Sequence, residues 1–134
     1  LFIQPTFGGQ VQMDAEGYIV GGPEFVAEVA DRGTADLDMG AKRRLYQRCG
    51  VREYLVWLTE EATLHWHRLH EGQYHEQLPD SEGRLRSVVF PGLWLNAAAL
   101  LRRDLAAVLT TVQQGVSSAE HAAFVATLRQ HAGQ

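Results

Sequence analysis

The order of secondary structure is set by residues 23–58, which read PEFVAEVADRGTADLDMGAKRRLYQRCGVREYLVWL. The run from Glu24 to Ala30 alternates between two faces and predicts a β-strand. A polar stretch from Asp31 to Asp38 predicts a loop, and the residues after it predict a helix that ends near Cys49. The run from Glu53 to Leu58 then predicts a second strand. This part of the chain is therefore expected to form a strand, a helix and a strand in succession.

Strands are predicted before this stretch, and both strands and helices are predicted after it. In the glycine-punctuated N-terminal segment, short strands are predicted at Leu1-Phe2-Ile3 and Tyr18-Ile19-Val20. Three later strands are predicted, at Ala62–Leu69, Gln73–Leu78 and Ser87–Phe90, the first two joined by an antiparallel turn at Glu71-Gly72. Three C-terminal helices are predicted to begin at the N-caps Asn96, Asp104 and Ser117, the last in a capping box with Glu120. The elements predict a fold of mixed α and β structure.

Length and composition limit the class of protein. The 134 residues fit one domain, 1–134, with a single core. The single cysteine and the lack of a signal-peptide pattern favour the cytoplasm, and no apolar run approaches the roughly 20 residues of a membrane span. The net charge of −4 argues against a broadly basic surface for duplex DNA, so any contact with nucleic acid must be local. Because the chain begins at Leu1 in a strand-like run, we expect the domain to start upstream.

Lys42 and Glu28 are charged residues in unexpected places. Lys42 shares the i, i+3, i+4, i+7 spacing of one helix face with Leu45, Tyr46 and Cys49, which predicts that it points inward. Glu28 lies between apolar neighbours in a strand that we expect to be covered on both faces. An unpaired buried charge costs several kcal/mol, so Glu28 needs a cation, a metal or protonation. We therefore expect Lys42 to pair with Glu28.

Two interpretations of this pair stay open on spacing alone. In the first, Glu28 and Lys42 form a structural ion pair, or Lys42 extends along the edge of the apolar face to solvent. In the second, Glu28 binds a metal ion, and Lys42 positions or deprotonates the attacking water and stabilises a phosphoryl transition state.

Nearby polar residues add further candidates. Asp38 is predicted to cap the helix, with metal binding as the alternative. Tyr46 is predicted to be a core aromatic residue whose hydroxyl has a local partner, with contact to a substrate phosphate as the alternative. Glu24 lies roughly 13 Å along the strand from Glu28, too far to share one ion. It is predicted to cap the strand or to meet solvent.

The histidines raise a zinc site as another alternative. His65 and His67 alternate onto one strand face, and His70 and His75 lie near the turn, but no cysteine or carboxylate has the accompanying spacing. Cys49 is predicted to be a buried apolar filler. The sequence contains no Walker loop, dinucleotide fingerprint or nucleophile elbow, so we expect no small-molecule cofactor.

Short motifs follow one another in a specific order along the chain. They are Gly22 to Ala30, Asp38 to Lys42, Tyr46, Gly50 to Tyr54, Trp66, Gly72, Tyr74 and Ser87 to Leu95. Together they resemble the Uma2 family of endonucleases of cyanobacteria and other bacteria, over almost the whole chain from about Gly17. The resemblance implies a restriction-endonuclease-like core of the PD-(D/E)XK superfamily, in which a mixed sheet is flanked by helices, here with C-terminal helices added.

The resemblance also implies Mg²⁺- or Mn²⁺-dependent hydrolysis of phosphodiester bonds in DNA. It implies that Glu28 is the strand acid that binds the metal. Lys42 matches the catalytic lysine, displaced onto the neighbouring helix, which explains why Val29 and Ala30 follow Glu28 without a lysine. Asp38 and Tyr46 are the candidates for supporting or substrate-binding roles.

The chain departs from the family pattern in two places. The family's Pro-Asp dipeptide, whose aspartate is the central metal ligand, is expected just before Leu1, so strong metal binding by residues 1–134 alone is not expected. The loop Ala30 to Thr34 replaces a serine-rich loop and is about one residue longer. The alternative function is a catalytically silent module of the same fold, such as a homodimer formed through the helices after Asn96 or through the histidine-rich hairpin.

Overall fold

The computed structural model describes residues 1–133, and the chain divides into two compact units, Leu1–Glu76 and Gln77–Gln134. The first unit is built on a sheet and the second is mainly helical. The mixed α and β structure predicted from the sequence is confirmed, whereas a single domain over residues 1–134 stays a prediction. Within residues 1–133, every helix is too short or too polar to cross a membrane.

The first unit contains a hairpin of two short strands and a larger sheet. The hairpin pairs β1 (Gln12–Met13) with β2 (Ile19–Val20). The larger sheet has the order β3-β4-β5-β6, with bounds Phe25–Ala30, Glu53–Leu58, Thr63–His70 and Gln73–Glu76. Because β3 and β4 are parallel and the other neighbours are antiparallel, this is a mixed sheet.

A helical segment connects β3 to β4, since two parallel strands require a crossover. It consists of α1 (Ala35–Leu37), a π-helical turn (Asp38–Lys42) and α2 (Arg43–Arg48). Gly50 follows with a φ of 74°, the left-handed conformation that commonly ends a helix. The predicted order of strand, helix and strand is therefore confirmed.

The helical segment covers one face of the sheet and encloses the core of the first unit. The buried core residues are Ala30, Tyr54, Val56, Leu58 and Tyr74, with Ala35, Met39 and Tyr46 of the helical segment packed against them. On the opposite face, Phe25 meets Trp66 edge to face, but Val29 is 67% exposed. The expectation that β3 is covered on both faces is wrong, because the crossover shields only one of them.

The β5–β6 hairpin forms as its sequence predicts. Glu71 and Gly72 have φ values of 49° and 76°, and two positive φ angles in a two-residue loop match the right-handed twist of the strands. The antiparallel pairing is confirmed. The second strand is shorter than expected and ends at Glu76 instead of Leu78.

The second unit is a two-stranded hairpin followed by three helices. Its elements are β7 (Arg84–Arg86), β8 (Trp94–Asn96), α3 (Ala97–Leu101), α4 (Leu105–Val116) and α5 (Ala119–Ala132). The side chain of Asn96 accepts a hydrogen bond from the Ala99 amide at 2.9 Å, and that of Asp104 accepts one from the Ala107 amide at 3.1 Å. Both predicted N-caps are thus confirmed.

The start of the last helix differs from the prediction. Ser118, not Ser117, caps α5, and its hydroxyl accepts a hydrogen bond from the His121 amide at 3.2 Å. Ser117 is used to end α4, which continues one residue past the expected stop. Glu120 does not form the capping box, because its carboxylate accepts a hydrogen bond from Trp94 Nε1 at 2.6 Å.

Residues 87–90 form part of the turn between β7 and β8 and are not a strand. The Ser87 hydroxyl accepts a hydrogen bond from the Phe90 amide at 2.9 Å, which closes the turn. The predicted strand is wrong, since this local side-chain bond replaces a strand ladder.

Candidate active site

Glu28, Asp38 and Lys42 form one charged cluster on the helix-covered face of the sheet. Lys42 Nζ lies 2.6 Å from Asp38 Oδ1 and 3.3 Å from Glu28 Oε1. The expected contact between Glu28 and Lys42 is present, and a second carboxylate joins it. Two carboxylates around one ammonium leave an excess of negative charge when all three are ionised, which favours a further cation.

Strand pairing and the helical crossover together place these side chains. Glu28 lies within β3, opposite Val56 of the parallel strand β4, and strand alternation turns its side chain toward the helical segment. Asp38 and Lys42 are the first and last residues of the π-helical turn. The side chains of Glu28 and Lys42 are 26% and 31% exposed, so the cluster is open to solvent on their side.

Asp38 does not cap the helix, and the predicted capping role is wrong. The helical segment begins after Thr34, because Asp31 Oδ1 accepts hydrogen bonds from the amides of Gly33 and Thr34 at 2.9 and 3.2 Å and turns the chain early. Asp38 is therefore inside the segment and only 1% exposed. Its side chain has Lys42 as its ionic partner.

Tyr46 contacts the cluster directly. Its hydroxyl donates a hydrogen bond to Glu28 Oε1 at 2.8 Å, and its ring packs 5.0 Å from the ring of Tyr54. Desolvation by burial, followed by the bond to the Glu28 carboxylate, raises the pKa of Tyr46 to about 12. The hydroxyl therefore keeps its proton at neutral pH and orients the Glu28 carboxylate.

Lys42 is the only lysine among the 12 Lys and Arg residues of the chain. An ammonium is a compact charge with three donors, which suits a position between two carboxylates better than a planar guanidinium does. The hydrogen bond with Asp38 raises the pKa of Lys42, and the contact with Glu28 raises it further. Desolvation by burial lowers the pKa but only partly offsets this rise. Lys42 is a cation at neutral pH.

Sequence reasoning misses Tyr54, which lies beneath the cluster. Its side chain is fully buried at 0% exposure, and its hydroxyl donates a hydrogen bond to the backbone oxygen of Asp38 at 3.1 Å. The feature of the sequence that could have revealed Tyr54 is the presence of a tyrosine within an apolar strand, since a buried hydroxyl needs a partner. Its partner lies 16 residues away in the sequence, and only the fold identifies it.

Glu24 lies just before β3 and is separate from the cluster. It is 1% exposed, and its two carboxylate oxygens accept hydrogen bonds from the amides of Ile3 and Gln10, each at 2.9 Å. The prediction that Glu24 meets solvent is wrong. The carboxylate fastens the N-terminal segment to the start of the strand.

The inward face of α2 also differs from the prediction. Leu45 is 46% exposed and Cys49 is exposed, so the role of Cys49 as a buried filler is wrong. Arg43 instead lies inward, with its guanidinium carbon 5.8 Å from the centre of the Tyr74 ring. The π-helical turn contains more residues than an α-turn and shifts the phase of the helix that follows.

The histidines of the β5 strand face do not form the zinc site considered as an alternative. Residues 1–133 contain no group of three or more His, Cys, Asp or Glu side chains that could hold a metal ion. His65 Nδ1 lies 2.8 Å from Glu76 Oε1. His67 is 4% exposed, neither ring nitrogen has a hydrogen-bond partner within residues 1–133, and burial lowers its pKa to about 4.

The oxygen ligands of the cluster fit a hard divalent cation. Glu28 and Asp38 present carboxylate oxygens to the same ammonium, and carboxylates are the preferred protein ligands of Mg²⁺ and Mn²⁺. Mg²⁺ commonly uses one or two carboxylates and completes its shell with water and substrate phosphate oxygens. Two carboxylates are therefore a suitable partial site for such an ion.

Comparison with known proteins agrees with this fold. Residues 7–98 match the family Uma2, which is described as "Putative restriction endonuclease". The match includes the mixed sheet, the helical crossover and all members of the cluster. No curated protein matches the chain. The restriction-endonuclease-like fold expected from the sequence motifs is confirmed, and the chain belongs to the Uma2 family, whose function is nuclease-like.

Proposed function

We propose that the chain carries the active site of a Mg²⁺- or Mn²⁺-dependent endonuclease that hydrolyses phosphodiester bonds in DNA. The observation that carries the proposal is the convergence of Glu28 and Asp38 within 3.3 Å of the ammonium of Lys42. A structural ion pair needs only one carboxylate, and its side chains need not be accessible to solvent. Here two carboxylates meet one lysine, and Glu28 is 26% exposed, so a substrate can reach it.

Glu28 and Asp38 are the residues that would hold the metal ion. Tyr46 donates a hydrogen bond to Glu28 Oε1 at 2.8 Å and limits the rotation of this carboxylate before any ligand binds. Such outer hydrogen bonds orient metal ligands in proteins. A metal ion held there would polarise the phosphate and lower the pKa of water.

Lys42 would stabilise the charge that develops on the phosphate. Its Nζ lies 3.3 Å from Glu28 Oε1, so a phosphate oxygen brought to Glu28 comes within reach of the ammonium. Negative charge is spread over the phosphate oxygens in the transition state, and a preorganised cation lowers its energy. Because a lysine has an ordinary pKa of about 10.4, this role is favoured over removal of a proton from water.

The path of the N-terminal segment bears on a further ligand that the family pattern implies. The family pattern implies a Pro-Asp dipeptide before Leu1. The Leu1 amino group donates to the Phe25 oxygen at 2.8 Å, and the Phe25 amide donates to the Leu1 oxygen at 3.1 Å, as in antiparallel strands. Any residue before Leu1 would then run along β3 toward Glu28.

DNA would contact the protein locally. Arg44 and Arg48 are exposed on α2, which follows directly after Lys42, and they would neutralise phosphates beside the cluster. Since the net charge of the chain is −4, these contacts must act over a short range. The logarithm of the binding constant for DNA should fall linearly with the logarithm of the salt concentration.

The test is cleavage of plasmid DNA with Mg²⁺ or Mn²⁺ at fixed salt, by residues 1–134 and by a form extended with a Pro-Asp dipeptide before Leu1. Glu28→Gln and Lys42→Met should each reduce the cleavage rate by about 100-fold or more, the usual effect of removing one transition-state contact. Glu76→Gln and Arg32→Met are matched controls, since both residues are exposed and lie outside the cluster.

Retention of full cleavage by either cluster variant contradicts the proposal. So does a folded, extended protein that cleaves DNA with neither metal ion. Loss of cleavage in both cluster variants, with both controls active, supports the assignment of Glu28 and Lys42.

A second candidate function rests on α4, which we propose could join two copies of the chain. None of its 12 residues is charged, and Leu105, Leu109 and Val116 are 63%, 61% and 48% exposed. Exposed apolar stripes mark protein contacts, and one stripe can pair with itself across a two-fold axis. Sedimentation should show a dimer that Leu109→Glu dissociates; a monomer at all concentrations, or a dimer unaffected by Leu109→Glu, contradicts this candidate.

A further inference from the structure

The π-helical turn Asp38–Lys42 sets the positions of two of the three charged residues in the cluster. π-helical turns are rare and occur mostly as single turns inside α-helices, frequently at functional sites. Such a turn follows an i→i+5 hydrogen-bond pattern instead of the i→i+4 pattern of an α-helix. A contact that holds this turn therefore also holds the charged side chains of the site in position.

Tyr54 supplies such a contact from the sheet. Its hydroxyl donates to the backbone oxygen of Asp38, the first residue of the π-helical turn, at 3.1 Å. The ring is fully buried and lies between aromatic neighbours, with centroids 5.0 Å from Tyr46 and 6.2 Å from Tyr74. Because close packing fixes the ring, the hydroxyl is a donor with a fixed position.

We propose that Tyr54 is a positioning residue of the active site, whose hydroxyl holds the Asp38 carbonyl and thereby the π-helical turn, so that Asp38 and Lys42 face Glu28. This inference deepens the proposed function and rests on it. Tyr54 acts through the backbone of its neighbour, whereas Tyr46 acts on the Glu28 carboxylate directly.

Tyr74 provides a matched control for this role. It is 7% exposed, and its hydroxyl donates to the backbone oxygen of Val51 at 2.8 Å, beyond the end of α2. Tyr54→Phe and Tyr74→Phe each remove one buried hydroxyl from the same core and leave one carbonyl without its partner. Both variants should lower the Tm by a similar few degrees.

The two variants should differ at the cluster. Lys42 is the only lysine, so ¹⁵N labelling of lysine gives a single side-chain Nζ signal in NMR spectra. Tyr54→Phe should move this signal toward that of free lysine and weaken Mn²⁺ binding, measured by EPR, by about 3- to 10-fold, as expected for one lost hydrogen bond. Tyr74→Phe should leave the signal and the Mn²⁺ affinity unchanged.

The inference is overturned if Tyr54→Phe leaves the Lys42 signal in place, or if Tyr74→Phe shifts it equally. The signal does not depend on a bound metal, so it separates this inference from the proposed function. A parent protein that binds no Mn²⁺, yet shows a Lys42 shift specific to Tyr54→Phe, retains the positioning role and contradicts the proposed metal site.

Discussion

Two glutamates four residues apart, Glu24 just before β3 and Glu28 within it, have carboxylates in opposite environments. Glu24 is 1% exposed and accepts hydrogen bonds from the backbone amides of Ile3 and Gln10. Glu28, four residues further on, is 26% exposed and contacts the side chains of Lys42 and Tyr46. Strand alternation places both on the same face.

The difference lies in the type of partner. Backbone amides are fixed by the chain, so Glu24 cannot exchange them for a ligand without unfolding the N-terminal segment. Side-chain partners can rotate away, so Glu28 can accept a metal ion or bring a substrate to Lys42. One glutamate is thus suited to stability and the other to chemistry, and the same substitution should have opposite effects at the two positions.

The largest expected effect is on cleavage by Glu28→Gln. The carboxamide keeps the size of the side chain but removes the negative charge needed for the metal ion, so the single-turnover rate should fall by about 100- to 1,000-fold. The free energy of unfolding, measured with urea, should change by less than about 1 kcal/mol, because an ion pair open to solvent on one side contributes little. A large loss of stability would place Glu28 in the same structural class as Glu24.

Glu24→Gln should show the reverse. A carboxamide presents an NH₂ group to one of two buried amide donors, and losing that bond should lower the free energy of unfolding by about 2–4 kcal/mol. Urea denaturation followed by circular dichroism measures the change. Glu16→Gln is the control, since Glu16 is exposed, and a change at Glu24 no larger than that of the control would refute its structural role.

His67 extends the comparison to a buried group without a partner. Its folded-state pKa of about 4 lies below the unfolded value of about 6.5, so the unfolded chain binds the proton first. The contribution to stability is complete above pH 6.5 and is lost as the pH falls toward 4, by at most about 3 kcal/mol. Urea unfolding at pH 7.5, 5.5 and 4.5 measures the loss.

His67→Phe should flatten this pH dependence, because the phenyl ring cannot bind a proton. The exposed His75 gives the control variant His75→Phe, which should keep the slope of the parent protein. Equal slopes for the parent protein and His67→Phe would show that His67 is not the group that titrates.

Tyr46→Phe should have the smallest effect. It keeps the ring packing and removes only the hydroxyl that orients Glu28, so cleavage should fall by about 5-fold and the free energy of unfolding by about 1 kcal/mol. Single-turnover cleavage and urea unfolding measure both. Tyr18→Phe, at a residue that is 71% exposed, should change neither; a Tyr46→Phe protein as active as this control would leave Glu28 oriented by Lys42 alone.

Much of the fold could be predicted because it depends on local rules. Alternation identified β3, strand-like runs of residues identified β4 and β5, and the cap residues Asn96 and Asp104 identified two helix starts. Positive φ angles at Gly50 and Gly72 follow from the conformational freedom of glycine at turns. These features depend on residues close in sequence.

The errors have the opposite origin. The π-helical turn shifted the inward face of α2, so that Arg43 replaced Leu45 and Cys49 against the sheet. The early start of the helix left Asp38 buried instead of at the N-cap. A change of one residue in helix phase cannot be read from periodicity, because several backbone hydrogen-bond patterns accommodate the same apolar spacing.

The sequence by itself determined the order of strands and helices, the family, and the pairing of Glu28 with Lys42, since an inward charge on a helix and one in an apolar strand require each other. Only the tertiary structure decided that Asp38 joins that pair, that Tyr46 and Tyr54 hold it, and that Glu24 does not. The partners of Tyr46, Tyr54 and Glu24 lie between 14 and 21 residues away along the chain. Contacts over such distances are created by the packing of the crossover on the sheet, not by local sequence.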